Sequence, residues 1–181
     1  KNEVNFINGD AIVISSGGYS CNPKLIEKYR PDLKNYPTTN GEWTTGDSLK
    51  FGDNIGANLL HLENIQVHPT GFIDPKNPDS LNKVLTAEMM RGVGGLLLDL
   101  NGRRFVNELD ARNKVVDAMN KRQKDSKEFI FLLSVKASDD ARKHTDFYEM
   151  KGLLNKVKGV DGIAEYMHVS PVTIMDTFNK Y

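Results

Sequence analysis

"AEMMRGVGGLLLDLNGRRFVNELDAR", residues 87–112, carries the clearest local signals in the chain. Asn101-Gly102 stands between two apolar-bearing runs, and such a two-residue loop calls for a type I′ turn, because both central residues must accept positive φ. The expectation is an antiparallel hairpin. On its N-terminal side, "PDSLNKVLTAEMMRG" (78–92) offers Asp79 or Ser80 as cap, Leu81, Val84, Leu85 and Met89 at helical spacing, and Gly92 as stop, so the pattern predicts a helix running up to the hairpin. Glu88 and Arg91 lie three apart on one face of that helix, which by spacing alone means a surface ion pair. The G-x-G of "RGVGG" (91–95) follows a helix and precedes a hairpin, whereas a dinucleotide fingerprint needs a strand before it and a helix after it. That excludes it as a nucleotide site. Arg103, Arg104 and Arg112 read, on position alone, as solvated charges near a turn.

Working outward toward the N-terminus, "AIVISSGGYS" (11–20) is a short apolar run stopped by Gly17-Gly18, as a buried strand entering a tight turn would be. "CNPKLIEKYRPDL" (21–33) follows, with Asn22 as N-cap, Pro23 at the first helical position and Pro31 as terminator, so a short helix is predicted. The polar stretch 34–48 reads as a loop, and "DSLKFGDNIGANLL" (47–60) has helical spacing through Leu49, Ile55 and Leu59. Toward the C-terminus, "KVVDAMNKRQK" (114–124) reads as helix, "EFIFLLSVK" (128–136) as strand, and "DARKHTDFYEMKGLLNKV" (140–157) as mostly helical or irregular. "SPVTIMDTFNKY" (170–181) is a helix capped by Ser170, with Pro171 at its first position. The sum is a mixed α+β chain with four or five helices and four strands.

The totals narrow the classes. At 181 residues the chain is long enough for one ordinary domain, with room for an appended piece. Lys plus Arg equals Asp plus Glu at 24 each, so overall charge suggests neither a nucleic-acid nor an anionic-membrane partner, and any anion site must be local. The single cysteine, Cys21, has no partner for an internal disulfide. His61, His68, His144 and His168 lack short metal-ligand spacing, which argues against zinc. No apolar run approaches the roughly 18 residues that a membrane helix needs, so a soluble protein is expected.

"QVHPTGF" (66–72) places a histidine immediately before a proline. The proline ring pushes His68 into an extended conformation and gives the loop a fixed shape, so the imidazole is presented by a loop instead of buried on a helix face. A lone loop histidine is more often structural than catalytic, and the residues themselves leave both readings open.

Taken in order, "SSGGYS", "TTNGEWTTGDS", "IQVHPTGFIDPKNP" and "AEMMRGVGGLLLDLNGRRFVNELDAR" resemble the flavoprotein of the fumarate reductase and succinate dehydrogenase family, and within it the soluble FAD-dependent enzymes of the flavocytochrome c kind. The resemblance is strong over residues 8 to 120. It implies the α+β capping domain of that fold over residues 61–181, with a remnant of the α/β FAD-binding domain over 1–60, the chain as a whole being an internal piece. It implies FAD as cofactor and a dicarboxylate substrate, fumarate reduced to succinate. His68 and Glu88 then correspond to ligands of a substrate carboxylate, Arg112 to the arginine that protonates the substrate, and Glu88 with Arg91 to the relay feeding that arginine. Gly17, Gly18, Gly46 and Asp47 match positions at the FAD site. Departures from the family pattern at Ala87, Ser48 and Asn113 keep another enoate, such as urocanate, as an alternative substrate, and a noncatalytic domain on the same fold as a further alternative. The chain alone is expected to bind FAD poorly and to turn over slowly or not at all, since it holds no G-x-G-x-x-G loop; the implied compartment is the cytoplasm or the mitochondrion.

The chemistry accounts for the residue types. Reduction of an activated alkene needs a hydride at one carbon and a proton at the other, with the dianion held by cations and hydrogen-bond donors. A guanidinium, with a pKa of about 12 or higher, becomes an acid only where its proton passes to a developing carbanion and is replaced at once. The reading therefore requires His68, Glu88, Arg91 and Arg112 to converge.

Overall fold

The computed structural model describes residues 4–122 and 128–181 and divides into two units, Lys1–Ile65 and Gln66–Tyr181. The division falls five residues beyond the boundary expected from the sequence.

In the first unit, Asn22 caps helix α1 (Pro23–Tyr29): its side chain accepts from the Leu25 N–H, and Pro23 opens the helix, both as the sequence predicts. A 3-10 turn at Pro31–Leu33 follows and carries the buried Leu33. Helix α2 spans Asp47–Asn54, so the helical spacing read through Leu59 stops a turn early; Leu59 and Leu60 are exposed. The apolar run 11–14 is not a strand. Ile12 and Val13 are 88% and 87% exposed, and no second segment among the described residues pairs with them. β-propensity alone does not make a strand, because the backbone groups need a ladder partner.

The second unit is built on two short antiparallel ladders. Strand β1 (Gly71–Phe72) pairs with β2 (Val84–Leu85), and β3 (Leu96–Leu98) pairs with β4 (Ile130–Leu132). The helix predicted over 78–92 is therefore largely replaced: only α3 (Met89–Gly92) is helical, and Val84 and Leu85 are in β2. The Ser80 side chain accepts from the Asn82 N–H and donates to the Asn82 carbonyl, so it closes a local turn where a capping role was expected. Leu81 stays 69% exposed, which removes the apolar face that the helical reading needs.

The hairpin after β3 is present in a different form. The Asp99 N–H donates to the Arg103 carbonyl, Leu98 bridges to Arg104, and Gly102 alone takes positive φ, at +75°. This is a three-residue loop with glycine in the left-handed position, not a type I′ turn. Asp99 decides it: its carboxylate accepts from the N–H groups of both Asn101 and Arg103, at 3.0 and 2.8 Å, and so holds a wider loop. The second arm is reduced to a bridge, and the apolar 130–132 segment takes the ladder position beside the fully buried Leu96–Leu98.

Helices complete the unit: α4 (Arg112–Arg122), α5 (Val135–Asp140), α6 (Arg142–Met150), α7 (Gly159–Met167) and α8 (Pro171–Asn179). The last two residues of the helix expected over 114–124 lie outside the described residues. Met90, Ala141 and Tyr148 form a buried cluster joining α3 to α5 and α6, with Phe72 and Phe131 packed against it. Ile174 of α8 is fully buried, and the Thr177 hydroxyl donates to the Gly102 carbonyl at 2.7 Å, so α8 closes over the hairpin loop. No helix among the described residues is long and apolar enough to cross a membrane.

Candidate active site

Three separated segments of the second unit bring their polar groups together. Glu88, just ahead of α3, receives two guanidinium groups. Arg112, the first residue of α4, forks onto its carboxylate: Nε donates to Oε1 at 3.1 Å and Nη2 to Oε2. Arg91, one helical step along, donates from Nη2 to Oε1 at 2.8 Å. The ion pair expected between Glu88 and Arg91 thus exists, but only one member is at the surface: the Arg91 side chain is 3% exposed and that of Glu88 is 49% exposed. Arg112, expected on position alone to be solvated, is committed to Glu88 and also donates from Nη1 to Gln66 Oε1 at 2.5 Å. Three of its five N–H groups are engaged, and the two that remain are both on the Nη nitrogens.

His68 belongs to the same group. Its Nδ1 lies 3.0 Å from the Thr70 carbonyl and 3.3 Å from the Thr70 N–H. Burial pushes its pKa down, and the positive charges of Arg112 and Arg91 add to that, while the Thr70 contact and the Glu88 charge oppose it. The imidazole is therefore neutral near pH 7 and has a carbonyl in place to accept a hydrogen bond from Nδ1–H once an anion favours the charged ring. Glu88 shows the opposite balance: the hydrogen bonds from Arg112, with the charges of Arg112, Arg91 and His68, bring its carboxyl down to about 2. The same bonds raise the Arg112 pKa. An ionised Glu88 shared by two guanidinium groups suits a relay position; as a ligand of a substrate carboxylate it would set anion against anion.

Sequence reasoning missed Gln66, although it lies in the quoted "QVHPTGF", and it missed Glu108. The Glu108 side chain is 4% exposed. It accepts from the Leu97 N–H at 2.9 Å and from Arg104 through Nε and Nη2, at 3.0 and 2.8 Å to Oε2, while its own carbonyl accepts from Arg91 Nη1 at 2.5 Å. The spacing of Arg104 and Glu108, four apart, was the available signal, but a turn-rich segment gave no helix on which to apply it.

The four FAD-site candidates lie together in the first unit. The Ser48 hydroxyl donates to the Gly17 carbonyl at 3.0 Å, and the Gly46 N–H donates to the Gly18 carbonyl at 3.0 Å, so the two loops are laced side by side. Gly18 has open space where a Cβ would stand, and Asp47, the first residue of α2, is half exposed and 3.5 Å from Lys50. Ile12 and Val13, ahead of this double turn, are exposed. The open space at Gly18 leaves room for a ligand against the backbone there.

The chain matches the family model described as an FAD binding domain over residues 1–161. The chain belongs to that family. Its cofactor is FAD. The chain is 39% identical to Fumarate reductase 1 of Saccharomyces cerevisiae, over 95% of this chain and 37% of that protein. It is 36% identical to the fumarate reductase of Schizosaccharomyces pombe, over 94% of this chain and 33% of that one. The NADH:fumarate oxidoreductase of Klebsiella pneumoniae is 30% identical over the whole chain, which covers 18% of its length. Among solved structures, the open conformation of a flavocytochrome c3 fumarate reductase superposes with a TM-score of 0.70 at 26% identity, over 92% of this chain and 28% of that one. The chain thus spans about a third of the length of the two yeast proteins it matches.

Proposed function

We propose that the chain is part of an FAD-dependent reductase of fumarate, with residues 61–181 as the capping, substrate-binding domain and residues 1–60 as part of the flavin domain. The observation that carries the reading is the doubly clamped Glu88, with Arg112 forked on one side and the buried Arg91 on the other, beside the His68 loop. FAD, when bound and reduced, supplies the hydride. His68 binds a substrate carboxylate through Nε2–H, and the charge of that carboxylate raises the imidazole pKa toward the protonated state. Arg112 gives a proton from one of its two unengaged Nη positions to the alkene carbon that does not receive the hydride. Glu88, in contact with both guanidinium groups, passes a proton from Arg91 to Arg112 and restores it, and Arg91 takes its replacement from solvent, so one turnover consumes one hydride and one solvent proton. Hydride plus proton across the double bond yields succinate, and the charges balance.

The test is Arg112→Ala in a flavin-loaded protein completed to the length of the relatives, assayed by oxidation of reduced viologen with fumarate. The expected result is loss of fumarate reduction with flavin absorbance unchanged; turnover within tenfold of the parent would refute the assignment of Arg112. Ala87, which offers a methyl group and no hydroxyl next to Glu88, favours a second reading with another enoate, such as urocanate, as substrate. Parallel assays with the two enoates separate them.

A further inference from the structure

The parts that carry this site are too short to hold themselves in place. Helix α3 is four residues, about one turn, and a single turn is not stable by itself. The β1–β2 ladder has two residue pairs, and the register of so short a ladder is weakly specified, although a one-residue slip turns every side chain to the other face. Something else must set where Glu88 stands relative to His68.

We propose that Tyr148 of α6 is the positioning residue of this site, its hydroxyl reading the backbone on either side of Thr86 and its ring holding the strand that follows the His68 loop. The proposal rests on the functional reading above. Tyr148 is 4% exposed. Its Oη accepts from the Ala87 N–H at 2.9 Å and donates to the Leu85 carbonyl at 3.0 Å. Ala87 immediately precedes Glu88, and its own carbonyl accepts the Met90 N–H that starts the α3 turn. Between the two anchor points, the Thr86 N–H donates to the Thr70 carbonyl at 3.3 Å and the Thr86 carbonyl accepts from the Thr70 hydroxyl at 3.4 Å. The same Thr70 carbonyl faces His68 Nδ1. On its other side the Tyr148 ring packs on Phe72 of β1 with centroids 4.6 Å apart. One side chain, 61 residues away in sequence, therefore touches both the segment that carries Glu88 and the segment that carries His68. A phenol does this where no aliphatic residue can, because its ring belongs to the apolar cluster while its tip both accepts and donates.

The experiment uses Tyr148→Phe, which keeps the ring and deletes both hydrogen bonds, with Ile174→Val as a core control remote from the site. In the labelled 181-residue chain, the Glu88 carboxyl, followed by carbon-13 NMR, is expected to titrate at least about one unit above its parent value in Tyr148→Phe and to stay at that value in Ile174→Val. A Glu88 titration in Tyr148→Phe identical to the parent overturns the proposal. Should Tyr148→Phe fail to fold, the parent chain decides: the Ala87 amide is expected to be protected from hydrogen exchange, and exchange at the rate of a free loop amide overturns the proposal equally. In the flavin-loaded, full-length protein Tyr148→Phe is expected to lower kcat/KM for fumarate about tenfold or more with flavin absorbance intact, while Ile174→Val leaves it within about twofold. A parent protein that reduces no fumarate sinks the substrate reading alone, because the Glu88 titration and the Ala87 exchange judge Tyr148 without any turnover.

Discussion

Replacing Glu108 by leucine tests whether the polar scaffold around Arg91 is structural in the way its geometry implies. The substitution keeps side-chain volume and removes four acceptor contacts: one from the Leu97 N–H and three from the Arg104 fork, whose Nε reaches both carboxylate oxygens. Leu97 is 1% exposed, so its N–H is left without a partner where water does not reach, at about 1–3 kcal/mol. Breaking a buried ion pair by deleting one member costs about 3–5 kcal/mol in general. Here the figure sits at the low end, because the Arg104 side chain is 28% exposed and already lies over the Tyr181 ring at 4.8 Å, from where it reaches solvent. The expected loss is about 3 kcal/mol, which for a unit of this size lowers the melting temperature by roughly 10–15 °C. Thermal unfolding of the 181-residue chain, followed by near-UV circular dichroism, measures it. Glu108→Gln should lose less, since its amide oxygen still accepts from Leu97. The double variant Glu108→Leu, Arg104→Leu should regain part of the loss, because replacing both members of a buried pair by apolar groups is far cheaper than removing one. A Glu108→Leu chain that melts within about 2 °C of the parent, or a double variant no better than the single, would refute the reasoning.

Further expectations concern charge, orientation and backbone. The folded-state pKa of Glu88, about 2, lies below its ordinary value of about 4.3, so its contribution to stability is present above about pH 4.3 and is lost as pH falls through 2; the acid limb of a urea-midpoint titration should flatten in Glu88→Gln. His68 also has a lowered pKa, so the folded chain binds fewer protons than the unfolded one just below about pH 6.5 and stability declines there; in His68→Asn that decline should shrink, and an unchanged slope would remove His68 from the account. Gln66→Ala takes one acceptor from Arg112 and should lower kcat for fumarate on the order of tenfold with flavin retained; an unchanged kcat would mean that Glu88 alone orients the guanidinium. Gly46 has φ +84°, and a Cβ there would stand 2.7 Å from Leu25 Cδ1 and 2.9 Å from Tyr19 Cβ, so Gly46→Ala should destabilise the first unit by about 2 kcal/mol or more in urea unfolding, whereas an unchanged midpoint would mean that the turn relaxes freely.

The residues differ in how much of their structure the sequence disclosed. Caps and punctuation were readable where the signal is local: Asn22-Pro23 and Ser170-Pro171 start α1 and α8 as expected. The helix α7 gave no such signal, since it opens at Gly159 with no side-chain cap and carries a second glycine at 162, both of which lower helix propensity. At Ser134 the opposite happened: the hydroxyl accepts from the Ala137 N–H and turns the chain into α5, while the apolar run suggested a strand through Lys136. The error over 78–92 has a different source, because the periodicity was present but the burial was not, and a strand partner nearby claimed Val84 and Leu85. For the site, spacing alone assigned Glu88, Arg91 and Arg112 to surface charges. The family resemblance grouped them, and the contacts with Glu88 are what join them physically.

This contrast follows from how the second unit is built. Its chemistry-bearing segments are a loop, a single helical turn and the first residue of α4, none of which is fixed by a long ladder or by a broad apolar face. Position is instead set by polar contacts that reach across the sequence: Tyr148 to the backbone of 85 and 87, Glu108 to Leu97 and Arg104, and Gln66 to Arg112. Such contacts have no periodicity, so no pattern along the chain announces them, yet each holds a direction more tightly than apolar packing does because a hydrogen bond is angular. A site built this way tolerates change in the exposed residues 75–79 far better than at those three positions, and its geometry should fail through loss of one hydroxyl, carboxylate or amide before the apolar cluster of Met90 and Ala141 loosens.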